Sequence, residues 1–297
     1  MNADGAITWG ELLTQTSKQL GNHQEARWLC EHASGVDGGE FDSAATELVN
    51  ERAGDALRAM AARRLAGEPL QYVMSRWAFR HLDVLVDPRV LIPRPETELV
   101  TQTALDLAKI IYKNSAKKVC IADLGTGSGV IGLSIASEMP RESTRVWLTD
   151  ISVDALDVAR ANLAGLGLVD ADVSLAHGDW FGAFENSSDV TKNSFDLIVS
   201  NPPYIADGDA SVEKIVRDYE PSIALFAGSD GLDAYRRIIS EANNWLAHNG
   251  WLVLEIGHQQ GVAIAEMLES NGFCRIEIRQ DFTSRDRIAI AQRKSDL

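Results

Sequence analysis

The sequence predicts a doubly wound α/β fold with a mostly parallel, seven-stranded sheet, preceded by an N-terminal all-helical domain. From residue 117 onward, short β-branched runs alternate with amphipathic stretches, a pattern typical of parallel strands joined by helices. Two further strand-like runs end the chain, so one strand there is expected to be antiparallel. In residues 1–75 the apolar residues recur only at the spacing of helices. A chain of 297 residues is long enough to bury a core in each domain.

Residues 1–75 are predicted to form a small bundle of helices. Thr8 and Glu11 have the spacing of a capping box, in which each side chain accepts a backbone amide at the start of a helix. A second helix would present an apolar face formed by Ala26, Leu29, Cys30 and Ala33. Further helices are expected over residues 43–52 and 53–65. The domain shows no cluster of catalytic residue types, so it is interpreted as a packing domain or as a docking module for a partner.

Residues 76–95 are predicted to form a hairpin and a linker, because two short apolar runs precede the proline-containing segment 91–98. The domain boundary is expected here, with the hairpin on either side of it. Residues 96–297 are assigned to the α/β domain, which begins with an amphipathic helix. Its strands are predicted at residues 119–124, 145–149, 171–176, 195–200, 251–256, 275–279 and 287–291, with helices at 130–139 and 152–163.

The charge balance argues against a polyanionic partner. The formal net charge is −15 at pH 7, and no run of Lys or Arg suggests a local basic groove. Binding of nucleic acid depends on neutralising phosphates with basic side chains, so direct contact with DNA or RNA is not expected. The charge suits a small cationic ligand or a basic protein partner.

Cysteine and histidine usage indicates a reducing compartment and no metal site. The three cysteines are far apart without a CxxC pair, which is typical of buried thiols, and the six histidines are equally scattered. No apolar run reaches the roughly 20 residues that a membrane span requires. Residues 1–5 lack the basic and apolar regions of a signal peptide. We therefore expect a cytoplasmic protein that does not contact a membrane. A monomer is expected as well, although the sequence carries no feature that sets the oligomeric state.

The segment Asn201-Pro202-Pro203-Tyr204 follows a predicted buried strand, at the sheet edge where α/β folds bind ligands. Two prolines fix φ and remove two backbone donors, so the segment cannot close on itself as an ordinary turn. It presents the Asn201 side chain and the Pro202 carbonyl as fixed acceptors beside an aromatic ring. That arrangement suits a planar NH2 group with two donors, although a plain proline-containing turn would show the same sequence.

A glycine-rich segment, residues 123–129, ends the first predicted strand of the α/β domain and opens the next helix. Glycines there permit a tight turn and a close approach of the backbone to a ligand. Residues 127–132 also satisfy the dinucleotide pattern GxGxxG, with Asp150 at the spacing of a ribose-binding carboxylate. A nicotinamide dinucleotide and S-adenosylmethionine both carry an adenosine ribose. This segment alone therefore leaves both ligands, and a loop without a ligand, open.

Three features favour S-adenosylmethionine over a nicotinamide cofactor. Asp123 places negative charge where an ammonium and a sulfonium would be attracted and a pyrophosphate repelled. Asp179 could accept from an adenine amino group and Trp180 could stack on the ring, although a core tryptophan would give the same pattern. The segment 201–204 has no role in hydride transfer.

Together these residues resemble the class I methyltransferases, and specifically the release-factor glutamine methyltransferases of the PrmC/HemK family. The resemblance covers nearly the whole chain and rests on residues 67–72, 91–98, 123–129, 179–181, 201–204 and 219–221. The Asn-Pro-Pro-Tyr motif alone is shared with enzymes that methylate adenine or cytosine amino groups. The helical front domain joined through segment 91–98 is more specific to this family.

The resemblance implies methyl transfer from S-adenosylmethionine, leaving S-adenosylhomocysteine, to the side-chain nitrogen N5 of the glutamine in the Gly-Gly-Gln loop of class I release factors. The cofactor contacts would be Gly125, Thr126, Gly127, Ser128, Gly129, Asp150, Trp180 and Asn201, with Asp123 and Asp179 added from the residues themselves. Asn201 and Pro202 would hold the glutamine amide, with Pro203 and Tyr204 completing the catalytic and substrate-binding loop. Two alternatives stay open: an amino methyltransferase acting on a nucleobase or another protein, and a non-catalytic cofactor-binding protein.

Overall fold

The computed structural model describes residues 7–185 and 187–295. The prediction made on residues 1–5, that they carry no signal peptide, lies outside the described residues. The chain divides into two compact units between Arg76 and Trp77, each with its own buried hydrophobic core. The predicted hairpin therefore falls, apart from its first residue, in the second unit.

The first unit is a set of short helices packed around one core. The helices are α1 (Trp9–Leu20), α2 (His23–Ser34), α3 (Gly38–Ala44), α4 (Glu51–Leu65) and α5 (Leu70–Met74). The capping box at the start of α1 is confirmed, because Thr8 N donates to Glu11 Oε2 at 3.0 Å and Glu11 N donates to Thr8 Oγ1 at 3.3 Å. Fully buried Leu29 and Phe41 lie in the core of this unit.

The helix predicted over residues 43–52 is wrong. Residues 45–50 instead turn and run beside the segment before α1, where Val49 N donates to Ile7 O at 2.9 Å and Leu48 bridges Thr8. Asn50 then caps α4 by accepting from Ala53 N at 2.9 Å. The apolar residues of segment 43–52 recur at helical spacing, but backbone groups within residues 45–50 are paired with a distant segment instead. Spacing along the chain does not reveal such long-range pairing.

The second unit contains a small hairpin and a large α/β layer structure. The strands are β1 (Arg76–Phe79), β2 (Leu82–Leu85), β3 (Val119–Leu124), β4 (Thr144–Asp150), β5 (Val173–His177), β6 (Phe195–Ser200), β7 (Leu246–Glu255), β8 (Phe273–Gln280) and β9 (Asp286–Arg293). The helices are α6 (Pro95–Ser115), α7 (Val130–Glu138), α8 (Val153–Gly165), α9 (Lys214–Tyr219), α10 (Asp233–Trp245) and α11 (Gly261–Ser270), with 3-10 turns at Trp180–Phe184 and Ser222–Ala224. The predicted strands are confirmed, with ends shifted by a few residues.

In the described part of the chain, the large sheet has seven strands in the order β5-β4-β3-β6-β7-β9-β8. The first five run parallel, and β9 is antiparallel to both of its neighbours, as predicted for the end of the chain. The order reverses between β3 and β6, which lie side by side with Ile121 opposite Leu197. The loops after these two strands therefore open together at the switch point where α/β sheets bind ligands.

A group of buried aromatic side chains packs in the core of the second unit. Phe184 lies 4.9 Å from Phe195 and 5.5 Å from Trp245 between ring centroids, and all three side chains are buried. Such pairs stabilise the core beyond the burial of apolar surface alone. Among the described residues, the helices are all too short or too polar to cross a bilayer.

Candidate active site

The glycine loop after β3 adopts a conformation that requires glycine. Gly125, Gly127 and Gly129 have φ values of 65°, 56° and 88°, in the left-handed region. A Cβ atom at Gly129 would also lie 2.8 Å from the Leu133 side chain. The loop is held to the next strand because Thr126 N donates to Thr149 O at 2.8 Å. Backbone rather than side chains thus faces the space above the sheet.

Asp123 supports this loop from below and does not line the cavity above it. The side chain is fully buried, and Oδ2 accepts from Thr126 Oγ1 at 2.6 Å and from Gly132 N at 2.9 Å. Burial raises the pKa of Asp123 to about 6, against these two hydrogen bonds. Its Oδ1 has no hydrogen-bond partner among the described residues, and the contact of Asp123 with a cofactor stays a prediction.

Asp150, at the end of β4, lines the cavity and anchors the loop at the same time. Its Oδ2 accepts from Gly127 N at 2.9 Å and its Oδ1 accepts from Ser152 N at 2.9 Å. Burial raises the pKa of the carboxyl, while these backbone amides oppose the rise. Two oxygens, each with a further lone pair, remain available to a neighbouring pair of hydroxyl donors.

Trp180 and Asp179 follow β5 and form another part of the wall. The indole lies against the glycine loop, since a Cβ atom built on Gly125 would be 3.2 Å from its Cζ3. Trp180 itself has a φ of 51°, an uncommon value for a bulky residue. Asp179 is exposed and its Oδ2 lies 2.7 Å from Arg237 Nη2 of α10. Arg237, which also lines the cavity, was not found from the sequence.

The structure places two residues of the segment 201–204 on the cavity wall, Asn201 and Pro203. Pro202 is buried beside them. Tyr204 is not among the residues that line the cavity, and its role in the substrate pocket stays a prediction. Its hydroxyl donates to Glu255 Oε1 at 3.4 Å, and burial with the nearby Glu255 carboxylate raises its pKa well above the usual range.

Two buried residues that the sequence did not single out contact the same segment. Thr97, in the first turn of α6, accepts from Asn201 Nδ2 at 3.1 Å and donates to Glu255 Oε2 at 2.7 Å. Burial raises the pKa of Glu255, at the end of β7, to about 7. Thr97 lies within the segment 91–98 that carries the resemblance, whereas no local signal distinguishes Glu255 from an ordinary residue at the end of a strand.

Glu220 holds two walls of the cavity together. Its Oε2 accepts from Ile92 N at 3.1 Å and its Oε1 lies 2.5 Å from Arg94 Nη2, and the side chain is almost completely buried. Residues within 89–97 and 221–228 line the cavity, which has a volume of about 360 Å³. This volume is in the range of small-molecule sites. The segments 91–98 and 219–221 thus belong to one ligand site.

Comparison with known proteins identifies this architecture. The model of the PrmC N-terminal domain matches residues 11–74, and that of the methyltransferase small domain matches residues 100–219. The release factor glutamine methyltransferase of Burkholderia pseudomallei is 38% identical over 266 residues, which are 89% of each chain. The chain belongs to the release factor glutamine methyltransferase family.

Further relatives agree with this assignment. The family member from Neisseria gonorrhoeae is 36% identical over 268 residues, covering 90% of this chain and 92% of the relative. Among solved structures, the delta-N METTL16 MTase domain has a TM-score of 0.53 at 17% identity and covers 80% of this chain and 96% of that chain. That structural similarity supports the methyltransferase fold. The chain is thus a methyltransferase whose candidate active site lies at the switch point between β3 and β6.

Proposed function

We propose that this enzyme transfers a methyl group from S-adenosylmethionine to N5 of the glutamine in the Gly-Gly-Gln loop of class I peptide-chain release factors. The observation that carries the proposal is the cavity in which Asn201 and the glycine loop face the same space. Family membership supplies the substrate class, and the geometry supplies the residues that would act on it.

The residues of the cavity fit an adenosine-containing methyl donor. Asp150 can accept from the two ribose hydroxyls, and the indole of Trp180 offers a flat face beside the glycine loop. Asp179 can accept from the adenine amino group if its carboxylate contacts that group and Arg237 at the same time. The glycine backbone permits close approach of the methionine part. When bound, the sulfonium supplies a methyl group that is already activated toward nucleophiles.

The protein's part in the reaction is to position an amide that is a weak nucleophile. Oδ1 of Asn201 and the Pro202 carbonyl would accept the two hydrogens of the glutamine NH2, which aims its nitrogen and raises its electron density. The same acceptors stabilise positive charge as it develops on nitrogen. Walls formed by Leu91, Pro203 and Phe226 limit water around the reacting atoms. The N-methylated amide is a strong acid while cationic, so water suffices to take its surplus proton.

A nucleobase amino group is the second candidate substrate, because the same loop can hold it. The net charge of −15 weighs against that substrate, since the sequence contains no run of Lys or Arg that suggests a basic groove for a nucleic acid backbone. A direct test offers labelled S-adenosylmethionine with release factor, DNA and ribosomal RNA side by side. We expect label on the release factor, mapped to the loop glutamine by peptide mass spectrometry. Label on a nucleobase, or on no acceptor, would overturn the proposal.

The helical unit is proposed to dock the release factor. Acidic side chains outnumber basic ones in residues 1–75, which suits a basic face on a factor that contacts ribosomal RNA. A chain that begins at Trp77 is expected to bind S-adenosylmethionine as the full chain does. Its kcat/KM on intact release factor should fall about tenfold or more, because about 1.4 kcal/mol or more of docking energy is lost.

A short Gly-Gly-Gln peptide provides the control for this truncation. The peptide makes contact only at the active site, so both chains should methylate it at similar rates. A shortened chain that methylates the intact factor as fast as the full chain would rule out the docking role.

A further inference from the structure

Three buried or half-buried side chains from three elements form a continuous hydrogen-bonded line into the active site. Glu255 ends β7, Thr97 lies in the first turn of α6, and Asn201 follows β6. Thr97 Oγ1 lies 2.7 Å from Glu255 Oε2 and 3.1 Å from Asn201 Nδ2. Thr97 and Glu255 are 2% and 1% exposed, so water does not compete for these bonds.

The direction of each hydrogen bond follows from the number of protons in the line. A carboxylate can only accept, and the Thr97 hydroxyl has one proton, so that proton is directed to Glu255. The hydroxyl oxygen must then accept from Asn201, whose only side-chain donor is its NH2 group. The amide oxygen Oδ1 of Asn201 is therefore left free to face the cavity. If the Asn201 amide were turned the other way, a lone pair of its Oδ1 would face a lone pair of the Thr97 hydroxyl oxygen.

Glu255 is linked to both ends of the segment 201–204, directly to Tyr204 and through Thr97 to Asn201. One oxygen reaches Asn201 through Thr97, and the other accepts from the Tyr204 hydroxyl at 3.4 Å. Such a buried carboxyl is costly to desolvate, and an apolar residue would fill the core with less cost. One oxygen nevertheless accepts from Tyr204 of this segment and the other from Thr97, the partner of Asn201, which indicates a role beyond packing.

We propose that Thr97 and Glu255 are positioning residues for methyl transfer, which hold the Asn201 amide with Oδ1 toward the substrate nitrogen. The proposal rests on the proposed function for its substrate, an amide NH2 group. Glu255 is not among the residues that line the cavity, and the role proposed for Thr97 is exerted through Asn201. Their effect is to keep Asn201 in the one orientation that can accept a hydrogen from that NH2 group.

The ionisation of Glu255 sets the direction of the whole line. Protonation at Oε2 would present a donor to Thr97, whose own proton would then turn toward Asn201 and favour the reversed amide. Several groups act on Glu255: Glu96 of α6, Tyr204 after β6, Tyr235 of α10 at the main-chain oxygen, and Arg287 of β9. Burial raises the pKa of the carboxyl to about 7. Transfer is therefore expected to fall as pH drops below neutrality.

Thr97→Val and Thr97→Ser form the matched pair that tests the hydroxyl. Valine has the same shape without the hydroxyl, and serine keeps the hydroxyl. With saturating release factor, the single-turnover rate of Thr97→Val is expected to fall about 10- to 100-fold, the usual effect of losing an orienting partner. Its KM for release factor and its affinity for S-adenosylmethionine should stay within about threefold. Thr97→Ser should restore the rate to within about threefold of the natural enzyme.

The proposal would be overturned by equal loss in Thr97→Val and Thr97→Ser, by a Thr97→Val rate within about twofold of the natural enzyme, or by loss of substrate binding that parallels the loss of rate. Thermal unfolding of both variants shows whether the valine variant is folded. If it is not, the serine variant and Glu255→Gln still decide the question.

Glu255→Gln tests the charge. The glutamine oxygen can accept from Thr97 and its NH2 group can face the Tyr204 hydroxyl, so the line keeps its direction but no longer titrates. From acid to well above neutral pH, the rate of the variant should vary little with pH. Below about pH 7, the natural enzyme should lose activity and the variant should not. The role of Glu255 would be contradicted if the variant lost activity at low pH with the same midpoint as the natural enzyme. It would also be contradicted if the variant were inactive at every pH.

A measurement without substrate separates failure of this inference from failure of the proposed function. The Asn201 side-chain NH2 resonances, assigned by their loss in Asn201→Ala, should exchange slowly with solvent in the natural enzyme and at least about tenfold faster in Thr97→Val. Equal exchange in both would overturn the positioning role whatever the substrate. Absence of methyl transfer to release factor by the natural enzyme would instead overturn the proposed function alone.

Discussion

Replacement of Asn201 by alanine is expected to slow methyl transfer by about 10²–10³, the scale for losing one preorganised polar contact to a transition state. The side chain lines the cavity and is held by Thr97, and its removal leaves Asp150 and the glycine loop in place. Affinity for S-adenosylmethionine should therefore change little, although the resemblance also places Asn201 beside the cofactor. Single-turnover transfer of labelled methyl, with mapping of the modified residue, measures the effect.

Asn244→Ala is a matched control for this variant. Asn244 is exposed on α10, so its replacement should leave both transfer and stability near the natural values. A release factor with asparagine in place of its loop glutamine should also fail as a substrate, because the shorter side chain cannot bring nitrogen to the methyl group. Natural rates in Asn201→Ala would show that the glutamine amide is held by other groups.

Replacement of Asp150 by alanine is expected to weaken binding of S-adenosylmethionine by about 2–4 kcal/mol, because a charged acceptor for two ribose hydroxyls is lost. The structure adds a second reason for a large effect. Asp150 also accepts from Gly127 N and Ser152 N, so its removal loosens the glycine loop that faces the ligand. Titration calorimetry measures the dissociation constant directly.

Asp157→Ala serves as the control for Asp150. Asp157 lies in α8, seven positions after Asp150, and its carboxylate is half exposed and pairs with Arg160 on the surface. Its replacement should leave binding unchanged. An unchanged dissociation constant in Asp150→Ala would remove Asp150 from the cofactor site, and measurable binding of NADH by the natural enzyme would overturn the choice of methyl donor.

Features encoded by neighbouring residues were predictable from the sequence. The parallel strands were found because buried β-branched runs have a recognisable period and length, and β3 and β6 even have the predicted bounds. The glycine loop was found because its positive φ values admit few other residues. Comparison with relatives confirmed the fold and the family that these motifs indicate. The roles of individual site residues stay predictions that the variants above test.

Side-chain direction was not predictable in the same way. Asp123 precedes the glycines and was expected to face a ligand, yet it turns inward to accept from Gly132 N. Tyr204 was expected in the pocket wall, yet its hydroxyl turns to Glu255. In both cases the side chain reaches a hydrogen-bond partner inside the protein: Asp123 Oδ2 accepts from two donors, and the Tyr204 hydroxyl donates to Glu255. For Tyr204 that partner lies 51 positions away along the chain, beyond the reach of any local pattern.

The sequence by itself determined the two-domain organisation of helices and α/β sheet, the place of both motifs at the end of strands, and the chemistry that these motifs can support. Only the tertiary structure decided which side chains meet. Thr97 is hydrogen-bonded to Asn201, 104 positions away, and to Glu255, 158 positions away. Glu220 pairs with Arg94 across 126 positions. Spacing along a chain reports local periodicity, whereas contacts of this kind arise from strand order and from the requirement that buried polar groups be paired.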